Sequence, residues 1–192
     1  FPTMVVMPEE RQLQLIKKAE ARNAMVIEDD YEIGLVGHVK LRPAMKSHDK
    51  SGRVIYVGSL SKTLSPSIRM GFIVAHRDVI CAAKMIRCLT VRHPPSIVQE
   101  TTAMFLAHGY HDAHLKNLRQ IYSQRWHIMN EGIKCHLPMF AQGEASGGTS
   151  FWLTGPPHFD ADVFATRLQK RGVLIEPGHV FFDKGNPVSY TH

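Results

Sequence analysis

Two short stretches hold most of the residues in this chain that could do chemistry. In the first, IEDDYE, an apolar run ends in Glu28, Asp29, Asp30 and Tyr31. The second, GSLSKTLSPSIRMGF at residues 58–72, places Ser59, Ser61, Lys62 and Arg69 among four serines, a threonine and a proline. An ordinary surface loop is charged and solvated, whereas this one pairs one lysine with one arginine seven residues later, among hydroxyls and between two apolar runs. Such a loop reads as built to hold something. Three adjacent carboxyl groups repel one another unless something cationic sits nearby. The acidic stretch therefore calls for a positive partner.

Three partners fit the residue types. A divalent metal held by acids at a strand end, as in nucleotide hydrolases, would come with a GxxxxGK[ST] loop, and the chain has none. A receiver-type acidic pocket with a distant lysine does not suit the two-domain texture described below. The third partner is a protonated pyridine nitrogen.

The elements that must position these residues are legible from patterning. Residues 8–22 have proline at the start, acids in the first turn and basic residues late, which predicts a helix. AMVIEDDYE, RVIYVGS and IRMGFIVA read as short buried strands, and residues 78–89 as a helix. Strands alternating with helices predict an α/β domain with a mainly parallel sheet, whose ligands bind beyond the carboxyl ends of the strands. Residues 96–136 read as helical, with an interruption at HGYHD that divides them in two. GGTSFWLTGP then reads as a strand, DADVFATRLQKRG as a helix ending in glycine, and VLIEPGHVFF as a further strand. The reading is a large α/β domain over residues 1–109 and a smaller C-terminal α+β domain over 110–192. Both ends read as cut, so a fragment is expected.

Composition narrows the class. With 44% apolar and 21% charged residues, the chain is that of an ordinary globular protein. No run of 18 or more apolar residues occurs, so no membrane partner is expected. Cys81, Cys88 and Cys135 form an odd, unpatterned set, which predicts free thiols buried as small hydrophobes and a cytoplasmic setting. The net charge of +6 permits an anionic ligand or nucleic acid without demanding one, and no DNA-binding or RNA-binding signature is legible.

IEDDYE followed by GRVIYVGSLSKTLSPSIRMGF resembles the large domain of fold-type I pyridoxal-phosphate enzymes. The similarity is greatest to the aminotransferase-like domain of MocR-type regulators in the GntR family, and to their kynurenine and aminoadipate aminotransferase relatives. That pattern runs strand-EDDY, then about thirty residues, then S-x-S-K-x-x-x-P-x-x-R-x-G. Here Lys62 lies 33 residues after Asp29 and Arg69 seven after Lys62, as the family requires. Weaker similarity in FPTMVVMP, HLKNLRQIYSQR and GVLIEPGHVFF extends it over essentially the whole chain.

The resemblance implies pyridoxal 5'-phosphate as cofactor, with Lys62 forming a Schiff base to its aldehyde and later acting as the base in transamination. It implies that Asp29 pairs with the pyridinium nitrogen and that Tyr31 donates to the ring oxygen. Ser59, Ser61 and Arg69 would hold the phosphate, and Asp30 would have a supporting role in the site. Substrates would be an amino acid and a 2-oxo acid, and the assembly a homodimer. In MocR-type proteins the domain follows a winged-helix domain, so DNA would be bound only through a domain outside this chain. The spacing of EDDY leans toward that regulator branch, and the alternative is an amino-acid-sensing effector domain with little or no turnover. Gly34 departs from the family, which usually has glutamate there. The family's N-terminal phosphate loop, ring-stacking aromatic and substrate-carboxylate arginine have no counterpart here, so the chain alone is expected not to turn over.

Other features read as structural. His108, His111 and His114 have a spacing that drifts around a helix, which favours a solvated helix start over a metal site. Trp126 and Trp152 read as core or interface anchors, and Gly147-Gly148 as a turn.

Overall fold

The computed structural model describes residues 5–30, 35, 43–143, 148–182 and 190–191. Packing divides the chain into a unit over Met7–Ile121 and a second built on Tyr122–His192. The sequence boundary at 109–110 coincides with the start of helix α5 (Tyr110–His136), and the division by packing falls later, inside that helix.

The first unit opens with α1 (Glu9–Ala21), preceded by Pro8, with Glu9 and Glu10 in its first turn and Lys18 in its last. Those charges complement the helix dipole. Its buried stripe of Gln12, Ile16 and Ala19 follows helical spacing. Ile16 joins Met45 and Val54 in a small core, flanked by Leu15 and Val26. Burying each such aliphatic side chain contributes roughly 1.5–3 kcal/mol, and here the burial ties α1 and the short helix α2 (Met45–His48) to the sheet.

That sheet has the order β1-β2-β3, from β1 (Val26–Asp30), β2 (Val54–Ser59) and β3 (Gly71–Val74). β1 and β2 are parallel, with Asp29 opposite Val57 and Asp30 opposite Gly58. β3 returns antiparallel, with Ser59 opposite Gly71. A parallel return needs a crossover helix, and the segment between β2 and β3 holds only the 3-10 turn Pro66–Ile68. The parallel expectation thus holds for β1–β2, with β3 antiparallel beside them. The expected burial of these strands is only partial: Val54 is fully buried, whereas every residue of β3 is exposed.

Helices α3 (Arg77–Thr90), α4 (Ser96–Ala107) and α5 follow, and the break at His108-Gly109 is where the sequence interruption placed it. α3 buries no residue and α4 only Thr102. The expectation of buried thiols is corrected accordingly: Cys81, Cys88 and Cys135 are all free and exposed. Cys81 and Cys88 lie on α3, none of whose residues is buried.

The second unit carries an antiparallel sheet of order β4-β5-β6, from β4 (Ala141–Gln142), β5 (Leu153–Thr154) and β6 (Tyr190–Thr191). α6 (Ala161–Gln169) starts at Asp160, whose carboxylate accepts from the Val163 N–H at 2.9 Å. Gly172, at φ +80°, follows its end. Phe140, Phe159 and Phe164 pack with ring centroids 4.9–5.9 Å apart. Trp152 is buried against Phe181 and Phe182, and Trp126 stacks on Phe151 at 5.5 Å. VLIEPGHVFF, expected as a strand, instead contains the 3-10 helix Gly178–Phe181. Pro177 forms a lone bridge there; lacking an N–H it can accept but not donate, and the 3-10 helix begins at the next residue. Gly148 sits at φ +116°, and Gly147 lies outside the described residues. Among the described residues no helix is long and apolar enough to cross a membrane.

Candidate functional site

Strand alternation decides what the acidic run can do. Successive side chains of a strand point to opposite faces, so Glu28 and Asp30 share one face of β1 and Asp29 takes the other. Burial follows suit: Glu28 and Asp30 are half-buried and Asp29 is exposed.

The two inner acids have protein partners. Glu28 accepts the Met45 N–H at 2.7 Å and the Lys46 N–H at 2.9 Å, capping α2 where Ala44 offers no side-chain cap. Asp30 accepts the Tyr56 hydroxyl at 2.9 Å. Burial, with that hydrogen bond and the charges of Asp30 and Glu28, holds the Tyr56 phenol well above its ordinary value of 10.0. The Asp29 side chain has no hydrogen bond or ion pair among the described residues. The picture of three carboxylates repelling at one tip is therefore corrected. The strand separates them, and a single acid is left facing outward.

The second stretch is placed by β2. Ser59 ends that strand two residues beyond Val57, the partner of Asp29, so Ser59 and Asp29 share a face of the sheet. Its Oγ accepts the Ser61 N–H at 3.2 Å, which leaves the Ser59 hydroxyl proton free to donate. The turn that follows is anchored by buried Leu60 and by Thr63, 1% exposed. Leu64 N–H donates to the Leu60 carbonyl at 2.9 Å. Lys62 lies between those two anchors and is exposed. The Leu60 N–H donates to the Met70 carbonyl at 3.0 Å, closing the loop and bringing Arg69 back beside the end of β2. Arg69 follows the 3-10 turn in the left-handed region, at φ 49° and ψ 41°. Few non-glycine residues adopt that conformation, which tends to occur at functional sites.

Asp29, Ser59, Ser61, Lys62 and Arg69 therefore gather at the carboxyl ends of a parallel strand pair, within one unit. Tyr31 and Gly34 lie outside the described residues. One outward carboxylate, one amine, two hydroxyls and one guanidinium form a donor set that fits pyridoxal phosphate: a cationic ring nitrogen, an aldehyde and a phosphate. No group of three or more metal-ligating side chains occurs among the described residues.

Three residues given no task in the sequence reading support this arrangement. Asp49, whose side chain is wholly buried, accepts from Lys46 Nζ at 2.8 Å, the Val54 N–H at 2.9 Å and the Arg53 N–H at 3.1 Å. Burial alone would raise its pKa, but these donors outweigh burial and hold the carboxyl well below the usual range. The legible signal was the turn pattern Asp49-x-Ser51-Gly52 before a strand. Gly71 is required by close backbone approach. Tyr56 is the third, and nothing in its apolar run distinguished it.

Comparison with known proteins shows the family and the fold. The family model described as aminotransferase class I and II matches residues 2–186. The HTH-type transcriptional regulator TauR of Rhodobacter capsulatus is 40% identical over 95% of this chain and 38% of its own length. The probable rhizopine catabolism regulatory protein MocR of Rhizobium meliloti is 35% identical over 71% of this chain and 28% of its own. The structure of Pyrococcus horikoshii kynurenine aminotransferase superposes with a TM-score of 0.92 at 27% identity, covering 99% of this chain and 47% of that one. The Thermococcus profundus multiple substrate aminotransferase gives the same TM-score and coverage at 26% identity. The chain spans less than half the length of each of these proteins.

Proposed function

Because the chain belongs to the class I and II aminotransferase family, we propose that it forms part of a pyridoxal-phosphate-binding, aminotransferase-like domain carried by a MocR-type regulator of the GntR family. The observation that carries this reading is the placement of Asp29, Ser59, Ser61, Lys62 and Arg69 at one end of the β1–β2 pair. The regulator context is supported by the similarity to TauR and MocR. DNA would be bound by a domain outside this chain, and the assembly would be a homodimer.

When bound, pyridoxal phosphate supplies an aldehyde that takes up amines and a ring that draws electrons from the substrate's α-carbon. Each residue has a distinct task toward it. Lys62 Nζ would hold the aldehyde, and as a free amine it would be the base that moves the proton at the amino acid's α-carbon. The Asp29 carboxylate accepts a hydrogen bond from the protonated ring nitrogen. The Ser59 and Ser61 hydroxyls donate to phosphate oxygens, and Arg69 adds a charged two-pronged contact. Tyr31, by its place in the motif, would donate toward the ring oxygen.

Titrating the full-length protein with pyridoxal phosphate tests this. A visible absorption band is expected that Lys62→Ala abolishes, together with weaker binding in Asp29→Ala. A wild-type protein without a Lys62-dependent band rejects the reading.

A second reading, an enzyme that completes transamination between an amino acid and a 2-oxo acid, is supported by the match to aminotransferase structures. Single-turnover conversion of an amino acid favours it. A change in DNA binding by the full-length protein on adding cofactor or amino acid, without conversion, favours the regulator.

A further inference from the structure

We infer that Tyr56 is a positioning residue for the proposed cofactor site: by holding Asp30 on one face of β1, it sets Asp29 on the other. The inference rests on the cofactor-site reading above and assigns a task to a residue outside the motif.

The geometry runs across all three strands. Tyr56 stands opposite Glu28 in the register, yet its hydroxyl reaches Asp30 at 2.9 Å, one step further toward the carboxyl end. Asp30 stands opposite Gly58, which has no side chain in the way. On the other side, the Tyr56 ring packs against Phe72 with centroids 6.0 Å apart, and Phe72 is Gly58's partner on β3. The phenol thus leans over Gly58 and bridges the tips of β1 and β3.

This contact carries information because of the strand period. A slip of β1 by one residue would exchange the faces of Asp29 and Asp30. Aliphatic packing prevents it only in part: Val26 flanks the core, but Ile27 is 70% exposed and β1 has a described partner on one side only. The hydroxyl can satisfy a carboxylate on its own face, and the native register supplies Asp30. Charge points the same way. Glu28 is taken up by the N–H groups of α2 and Asp30 by Tyr56, so the acid offered to a bound cation is Asp29. Burial and the neighbouring carboxylates keep the phenol protonated, so the donor persists across the pH range in which such proteins fold.

The test uses the full-length protein titrated with pyridoxal phosphate, comparing wild type with Tyr56→Phe, Asp29→Asn and Asp30→Ala. Cofactor affinity, the pH profile of the visible band and the urea midpoint are measured for each. Loss of one hydrogen bond to a charged group predicts about tenfold weaker binding in Tyr56→Phe. Its pH profile should move toward that of Asp29→Asn, and Tyr56→Phe should have no further effect once Asp30 is alanine. A Tyr56→Phe protein with a lower urea midpoint but wild-type affinity and profile would reduce Tyr56 to a packing role and overturn the inference. If Asp29→Asn itself leaves the profile unchanged, the cofactor-site reading fails first, and the two failures are told apart.

Discussion

Gly71 approaches Gly58 across the β2–β3 pair so closely that a β-carbon at residue 71 would lie 2.6 Å from the Gly58 carbonyl oxygen. That oxygen belongs to backbone in the middle of a ladder and cannot swing aside. The glycine that ends the S-x-S-K-x-x-x-P-x-x-R-x-G pattern is therefore there to let two strands close. Their closure holds Ser59 and Arg69 at the same end of the sheet.

Gly71→Ala should destabilise the protein by about 1–3 kcal/mol, the usual range for forcing an atom into packed space. Cofactor binding should weaken in the same variant, because Ser59 pairs directly with residue 71. Urea denaturation and cofactor titration measure the two effects. An alanine variant with wild-type stability and affinity would show that the strands can separate without consequence.

Arg69 carries a second kind of constraint, its left-handed backbone at φ 49°. Glycine relieves that strain but adds freedom to the unfolded chain, and the two effects oppose each other at about 1 kcal/mol each. Arg69→Gly should thus change folding stability by less than about 1 kcal/mol while lowering affinity for the phosphate-bearing cofactor. Arg69→Lys keeps the charge but loses the fork, so its affinity should fall between glycine and wild type. Paired denaturation and binding curves separate the terms; a glycine variant that binds as wild type would exclude Arg69 from the phosphate site.

Asp49 gives the clearest pH dependence. Its carboxyl is held below the ordinary value of 3.8 in the folded chain, so the folded state binds its proton less readily than the unfolded state does. The stability it contributes is complete above that ordinary value and is lost as pH falls below it toward the depressed folded value. Asp49→Asn should cost about 2–3 kcal/mol near neutral pH, because Lys46 loses its charged partner and the Arg53 and Val54 N–H groups lose a carboxylate acceptor. The difference between wild type and variant should shrink as pH drops below about 4. Urea midpoints over an acid series measure it; a difference that stays constant would mean that the carboxylate's charge is not what stabilises the turn.

Much of the site was legible in the sequence, for a local reason. Lys62 and Arg69 belong to one closed loop, and the hydroxyls beside them, the proline and the terminal glycine are all read from one continuous stretch. The supporting residues were less legible, because their partners are distant in sequence: Glu28 serves α2 through residues 45 and 46, and Tyr56 serves Asp30 from another strand. The misread VLIEPGHVFF was apolar enough for a strand, but it makes a lone bridge at Pro177 and then turns into a 3-10 helix. The thiols misled for a related reason. Apolar patterning marks the face of α3 that prefers cover, but not whether this chain supplies it.

By itself, the sequence determined the spacing of the reactive groups, the order of the three strands that carry them, and the family, since all of these are written in residue type and separation along the chain. Only the tertiary structure decided the direction each group takes. Glu28, Asp29 and Asp30 are chemically near-equivalent neighbours. What separates a cap, an outward acid and a tyrosine's partner is the register of β1 against β2. That register is set by contacts between residues far apart in the chain, Tyr56 with Asp30 and Glu28 with the N–H groups of Met45 and Lys46. Strand side chains alternate with a period of two, so a single step of register determines which acid faces outward.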